Sequence, residues 1–351
     1  MSNKPLISTV TLAYNVGKFL HEAICSIQKQ SYENLEIIIV INGKSNDNTE
    51  EIALSLASAD NRIKLVYNRE NSIIGVGRMI GLNAVTGEYF TFLDGDDFLA
   101  PDAADNLYQT IVDKQADISV GYFQGVYANG EIYPNYRGAA GLEYDTLTPE
   151  EYIPDCLLYI DTLLHGKLYD TKLYRENSIH MFNDSSLGED KFLHLQFISC
   201  AKKIAQTHKV VHYFRINPNS MTNKLKYKDF LGEFRNMLWV EKLYLEKSYL
   251  SNQKCLESFK AHQLYLLYYC FFTGYLKIFK CFPEEVSNLL YGDFIRTKNI
   301  RNYLKQWKFY VPVLETYRFN KYLGTFVCFI LNGSRKMFRN IKKIYSCNFP
   351  K

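Results

Sequence analysis

The chain has 351 residues, 47% hydrophobic and 22% charged, an ordinary globular composition with enough apolar residues for about two packed domains. The formal charge of +4 is unevenly placed: Thr316 to Lys351 holds eight Lys or Arg and no acid, leaving 33 basic against 37 acidic residues before it. The body therefore lacks the basic field that nucleic-acid binding needs, the eight cysteines show no C-x-x-C pairing, the N-terminus is not a secretory signal, and no run of 18 apolar residues marks a spanning helix.

Leu6 to Ala13 reads as a buried strand, and Asn15 is placed to cap a helix whose apolar face is Leu20, Ala23, Ile24 and Ile27. Leu35 to Ile41 is an unbroken run rich in β-branched residues, as in a parallel strand covered on both faces. The polar stretch NGKSNDNT follows, with Asp47 or Asn48 able to cap a helix carrying Ile52, Ala53 and Leu56. Ile63 to Tyr67 is a third strand, and Asn71 to Val85 a glycine-interrupted helix. Tyr89 to Leu93 is a fourth strand. Pro101 sits near the start of a helix with Leu107 and Ile111 inward, and Ile118 to Tyr122 is a further strand. This alternation predicts an α/β fold, a mostly parallel sheet with helices on both faces. Asn129-Gly130 marks a hairpin turn, and Thr148-Pro149-Glu150-Glu151 a capped helix start. From about residue 228 to 310 a helical period rich in Tyr, Leu and Phe predicts two to four helices.

Two acidic stretches stand out. Phe90 to Pro101, FTFLDGDDFLAP, places Asp94, Asp96 and Asp97 directly after an apolar strand. Acids cannot stay inside a sheet, so they fall at its carboxyl end, where open α/β sheets bind ligands. Hard oxygen donors there suit Mg2+ or Mn2+ completed by phosphate oxygens, and a solvated acidic turn is the alternative. A calcium loop fails on spacing, since the sixth position is Leu99 where Gly is required. In the second stretch Glu189 and Asp190 enter a helix with Leu193, Phe197 and Ala201 on its apolar face. A carboxylate in a first helical turn is stabilised as the anion, the state a general base needs, and equally the state of a simple cap. No G-x-G-x-x-G follows the first strand, and no G-x-x-x-x-G-K-[ST] occurs.

Taken together these stretches resemble the family 2 glycosyltransferases, inverting nucleotide-sugar enzymes with a GT-A fold. The resemblance covers residues 5 to 225, through ISTVTLAYNVGKFL, GVGRMIGLNAVTGEYFTFLDGDDFLAP, HGKLYDTKLYRENSI, LGEDKFLHLQF and HYFRINPNSMT. It implies that Asp94 and Asp96 hold a divalent metal, Mn2+ or Mg2+, on the donor diphosphate, with Asp97 their acidic neighbour. It implies Asp190 as general base, Arg78 at the nucleotide or diphosphate, and Ala13, Tyr14 and Asn15 lining the nucleotide pocket. Lys167, Glu189, Arg215 and Ser220 fall near donor or acceptor. Where the family carries Asp-Asp-Gly-Ser-x-Asp, this chain has Ile41-Asn42-Gly43-Lys44-Ser45-Asn46-Asp47, so Asn42 replaces the acid that accepts from uracil. An amide oxygen can accept the same bond, which keeps UDP as the expected nucleotide.

The implied organisation is a GT-A domain over 1–225, split into a nucleotide-sugar half (1–123) and an acceptor half (124–225), then a helical C-terminal region over 226–351. Arg335, Lys336, Arg339, Lys342 and Lys343 alternate with Met337, Phe338, Ile341 and Ile344. That pattern suits a helix in a membrane interface, a solvated basic tail being the alternative. The expected protein is a cytoplasmic hexosyltransferase, peripheral on the inner face of the plasma membrane. Its expected partners are a nucleotide sugar, a lipid-linked or cell-surface glycan acceptor and an anionic membrane surface, with no nucleic acid. A degenerate scaffold of the same fold is the reading from a different class, and metal-dependent donor turnover separates the two. A sugar-1-phosphate nucleotidylyltransferase would need a glycine- and arginine-rich loop where Ala13-Tyr14-Asn15-Val16-Gly17 stands.

Overall fold

The computed structural model describes residues 4–70, 73–127, 129–138, 144–158, 162–184, 187–216, 227–272 and 282–291. The chain divides into two compact units, Met1–Leu225 with Asn236–Cys255, and Lys226–Arg235 with Leu256–Lys351.

The first unit alternates strand and helix from its start: β1 (Ile7–Ala13), α1 (Gly17–Gln28), β2 (Leu35–Asn42), α2 (Thr49–Ala59), β3 (Ile63–Asn68), α3 (Ile74–Ala84) and β4 (Tyr89–Asp94). Then come β5 (Phe98–Leu99), α4 (Ala103–Lys114), β6 (Ile118–Val126), β7 (Ile132–Gly138), β8 (Thr146–Leu147) and α5 (Pro149–Leu158). β9 (Lys167–Asp170), the short α6 (Lys172–Arg175), α7 (Glu189–Cys200) and β10 (Ile204–Arg215) close the sheet. Its order is β3-β2-β1-β4-β9-β6-β10-β5, with β7 on β6 and β8 on β10.

The four strands from β3 to β4 are parallel, as the β-branched runs predict. The second half is mixed: β9 runs antiparallel to both β4 and β6, while β10 is parallel to β6. All seven residues of β1 are buried, as a strand covered on both faces requires. On one face Leu20, Ala23, Ile24 and Ile27 of α1 and Leu107 and Ile111 of α4 join Ile37, Ile39 and Ile41 of β2 in one core cluster. Each buried Leu or Ile among them contributes about 1.5–3 kcal/mol. On the other face α3 presses close. A methyl at Gly77 would sit 2.6 Å from Asn42 Oδ1, and one at Gly81 2.3 Å from Val10 Cγ1. Gly77 and Gly81 therefore serve close approach, and that approach seats Arg78 under the strand ends.

Local chemistry explains the helix starts, with one correction. The sequence places Asn15 as the cap of α1, but Val16 occupies that position. Asn15 takes the left-handed conformation, φ 53°, which Asn tolerates better than most residues. Its Oδ1 accepts from Asn46 N at 2.7 Å, and its own N–H donates to Ser45 Oγ at 3.1 Å. The orphan amides of α1 are met from the next loop: Val16 N donates to Thr49 Oγ1 and Gly17 N to Asp47 Oδ2. Burial opposes the Asp47 anion, but hydrogen bonds from Thr49 and Gly17 hold its carboxyl below the usual range. At α5 the capping box forms as expected, with Thr148 N donating to Glu151 Oε2 at 2.9 Å and Glu151 N to Thr148 Oγ1 at 3.4 Å. The hairpin at Asn129-Gly130 pairs Val126 with Ile132.

Three described helices follow, α8 (Tyr227–Glu246), α9 (Gln253–Phe272) and α10 (Pro283–Tyr291). The segment Asn236–Cys255 packs within the first unit, where Tyr244 Oη donates to Leu195 O at 2.9 Å and Trp239 stacks on His180 at 5.4 Å. Among the described residues no helix is long and apolar enough to cross a membrane. Ser220 and the basic stretch from Tyr322 to Lys351 lie outside the described residues.

Candidate active site

The carboxyl ends of β1, β2 and β4 meet at one edge of the parallel half-sheet. Asp94 is the last residue of β4, and Gly95-Asp96 turns the chain toward β5, which pairs with β10 through Leu99 and His212. Ligand oxygens of Asp94, Asp96 and Asp97 lie within 4.8 Å of one another. The three carboxylates are not equivalent. Among the described residues no cation lies within ion-pair distance of Asp96. Burial first, then Asp97 and Asp94, push its carboxyl up to about 7. A half-buried carboxylate with no cation of its own fits a divalent metal, which would take hard oxygen donors at this edge. Asp94 has both oxygens engaged by nitrogens. Burial alone would raise its carboxyl, but His165 and Arg78 hold it well below the usual carboxylate range.

Asp97 is an anchor. Its Oδ2 lies 2.8 Å from His212 Nε2, and its Oδ1 accepts from Arg215 N at 2.9 Å, with Asp97 and His212 both buried. Arg215 completes the clasp. Its Nε donates to Asp96 O, its Nη2 to Glu22 Oε2, and its guanidinium lies 4.7 Å from the Phe19 ring and 5.3 Å from that of Phe98. Both residues thus hold the acidic turn from behind. Breaking a buried pair costs about 3–5 kcal/mol. Asp97→Ala is therefore expected to lower stability by about 3 kcal/mol in denaturant melts, and a wild-type midpoint would refute the anchoring role.

The second acidic motif arrives on α7, where Glu189 and Asp190 occupy the first turn. Arg78, buried on α3, reaches three acids. Its Nη2 lies 2.8 Å from Asp190 Oδ1 and 3.3 Å from Asp94 Oδ1, and its Nε 3.7 Å from Glu189 Oε1. Burial works against the guanidinium, but Asp190, Asp94 and Glu189 hold its pKa above the ordinary value. Glu189 is raised to about 8, by burial first and then Asp190, with Arg78 opposing. A group absent from the sequence reading closes the constellation. His165, buried, places Nε2 3.1 Å from Asp94 Oδ2 and Nδ1 3.7 Å from Asp190 Oδ2. Burial alone would lower its pKa, yet Asp94 and then Asp190 bring it up to about 9, against Arg78.

The other expected residues are placed as follows. Ala13 is buried at the end of β1, and Tyr14 and Asn15 line the loop beyond it. Asn42 is buried at the end of β2. Its Oδ1 accepts from Asn68 Nδ2 at 2.7 Å, and its Nδ2 faces Ile73 O at 3.5 Å. Lys167 has no exposed surface. Its Nζ donates to Leu163 O, and its charge is the second cause, after burial, that keeps His194 well below the ordinary value. Lys167 is thus an interior residue. His165 and His212 carried no spacing signal, although each opens a segment, HGKLY and HYFRI, on which the family resemblance rests.

The family model described as Glycosyl transferase family 2 matches residues 8–180. "Glycosyltransferase GlyA" of Streptococcus pneumoniae serotype 4 is 32% identical over 222 residues, 62% of this chain but only 31% of that protein's length. The "Poly(ribitol-phosphate) beta-N-acetylglucosaminyltransferase TarP" of Staphylococcus aureus is 24% identical over 262 residues, 74% of this chain and 76% of that protein. In structure, S. aureus TarS 1–349, solved with UDP-GlcNAc, superposes with a TM-score of 0.64 at 18% identity, covering 95% of this chain and 91% of that one. That likeness shows the GT-A fold that the resemblance implies.

Proposed function

The chain carries a glycosyl transferase family 2 domain over residues 8–180, and from that premise we propose that it is an inverting transferase moving a hexose or N-acetylhexosamine from a UDP-sugar to a lipid-linked or cell-surface glycan. The observation that carries this reading is the bridge by which Arg78 joins Asp94, at the end of β4, to Asp190, at the start of α7. It sets the acid of the donor motif and the candidate base around one point at the sheet edge. Asp190 takes the proton of an acceptor hydroxyl as that oxygen bonds to the anomeric carbon, and the bond from that carbon to the diphosphate breaks on the opposite face. One displacement inverts the centre, so an α-linked donor yields a β-glycoside and no nucleophilic side chain is needed. A divalent metal held by Asp96 and Asp94 would supply charge neutralisation for the departing diphosphate. Arg78, which bridges Asp94 and Asp190, is a cation placed to meet the same charge. The β-N-acetylglucosaminyl transfer in the name of TarP, and the UDP-GlcNAc bound to TarS, support a UDP-sugar and inversion.

The direct test is UDP release from a panel of UDP-sugars. We expect one donor to be consumed with Mn2+ and none after chelation by EDTA. UDP release unaffected by EDTA would remove the metal from the reading, and a panel left intact under all conditions would remove the transferase. We also propose that the basic stretch from Tyr322 to Lys351 holds the protein on the cytoplasmic leaflet, each basic residue contributing about 1 kcal/mol near an anionic surface. Deleting it is expected to abolish sedimentation with phosphatidylserine vesicles and leave nucleotide binding intact. Undiminished sedimentation would sink this attachment.

A further inference from the structure

Four side chains, the base Asp190 among them, form a closed ring of facing nitrogens and oxygens. Arg78 Nη2 faces one oxygen of Asp94 and one of Asp190, at 3.3 and 2.8 Å. The two imidazole nitrogens of His165 face the remaining oxygens, Asp94 Oδ2 at 3.1 Å and Asp190 Oδ2 at 3.7 Å. Every carboxylate oxygen of the pair is thus opposed by one nitrogen. We propose that His165 is a positioning residue for the transfer reaction, keeping the Asp190 carboxylate beside Asp94 by setting one ring nitrogen against each at ion-pair distance. This rests on the transferase reading above.

Three features make His165 the rigid side of the ring. Its ring lies 5.2 Å from that of His212, which is bound to the anchor Asp97. The next residue, Gly166, takes φ 68°, a left-handed turn that glycine adopts without strain and that leads into β9 at Lys167. Lys167, one further on, is tied to Leu163 O, so the backbone carrying His165 is fixed from the inside. Arg78 has a different prospect. A diphosphate is a strong bidentate partner for a guanidinium and competes with Asp94 and Asp190 for it. An imidazole spanning two carboxylates offers the diphosphate no such fork. When Arg78 turns toward the donor, His165 is the group left to keep Asp190 in place. A displacement of about 1 Å at such a group can cost two orders of magnitude in rate.

The test uses the full chain, Mn2+, UDP as the binding probe and UDP release as the rate, with His165→Phe and His165→Asn. Phe keeps the bulk and removes both nitrogens, while Asn keeps a donor for one carboxylate. We expect His165→Phe to lower kcat about 50-fold, with donor KM within about threefold of wild type and Mn2+-dependent protection by UDP retained. His165→Asn should recover about tenfold of that loss. Wild-type kcat in His165→Phe overturns the proposal. So does a parallel fall of kcat, donor affinity and melting temperature in both variants, which is the signature of a merely structural histidine. Should His165→Phe fail to fold, His165→Asn decides: reduced kcat at unchanged KM and melting temperature supports positioning, and wild-type kcat refutes it. A wild-type protein that neither binds UDP nor consumes any donor overturns the transferase reading itself, and this proposal with it.

Discussion

Asp190→Asn should abolish transfer, roughly a thousandfold in kcat, while Mn2+-dependent protection by UDP survives. A positioned general base contributes about 10²–10⁴-fold, and a thousandfold corresponds to about 4 kcal/mol of barrier. The substitution is nearly isosteric and keeps one oxygen that can face Arg78 Nη2, now 2.8 Å from Asp190 Oδ1. It removes the lone-pair basicity and one negative charge from a cluster that still contains Asp94, Glu189, Arg78 and His165. The folded structure and the donor motif should therefore persist. Wild-type turnover in Asp190→Asn would show that the base lies elsewhere. Joint loss of turnover and UDP protection would show that Asp190 holds the site together instead.

The second large effect is expected at Asp96. With UDP and Mn2+ at about 100 times their dissociation constant, the wild-type protein should gain about 2.7 kcal/mol, a readable rise in melting temperature. Asp96→Ala should lose the metal-dependent part entirely, because this is the acid of the motif that no cation among the described residues meets. Equal protection in the variant would move the metal to Asp94 alone. The same carboxyl predicts a pH dependence. Its pKa is raised by folding to about 7, so stability falls as pH rises from the ordinary carboxylate value of 3.8 to about 7, and the full cost of the bare anion stands above that point. A metal relieves that cost above pH 7 and must displace the proton below it. Mn2+ affinity should fall about tenfold per pH unit below 7 and level off above. A flat titration from pH 5.5 to 8 would contradict the placement of Asp96.

Asp97 and Asp96 are neighbours in sequence with opposite expected behaviour. Asp97→Ala should melt early, and Asp96→Ala should fold and lose the metal. Nothing in the pair Asp-Asp distinguishes them. The difference comes from His212 and Arg215, more than a hundred residues away, which occupy both oxygens of Asp97.

That contrast marks the line between local and distant information in this chain. The β-branched run of β2, the apolar face of α1 and the Thr148–Glu151 capping box are legible because each depends on residues within a few positions of one another. The acids after β4 are legible for the same reason: an apolar strand must end where charges begin. The resemblance in segment order names Asp94, Asp190 and Arg78, and the structure brings the three together. The rest depends on packing. Asn15 is drawn from its capping role into a clasp with Ser45 and Asn46, because Asp47 and Thr49 reach across to the amides of α1. Lys167, a charge that reads as a ligand contact, is folded inward with its ammonium on Leu163 O. His165, one of seven histidines without a motif, becomes the fourth side of the charge ring because β9 inserts antiparallel between β4 and β6. Periodicity and caps are set by neighbours along the backbone, whereas the partner of a buried charge is set by which strands lie side by side.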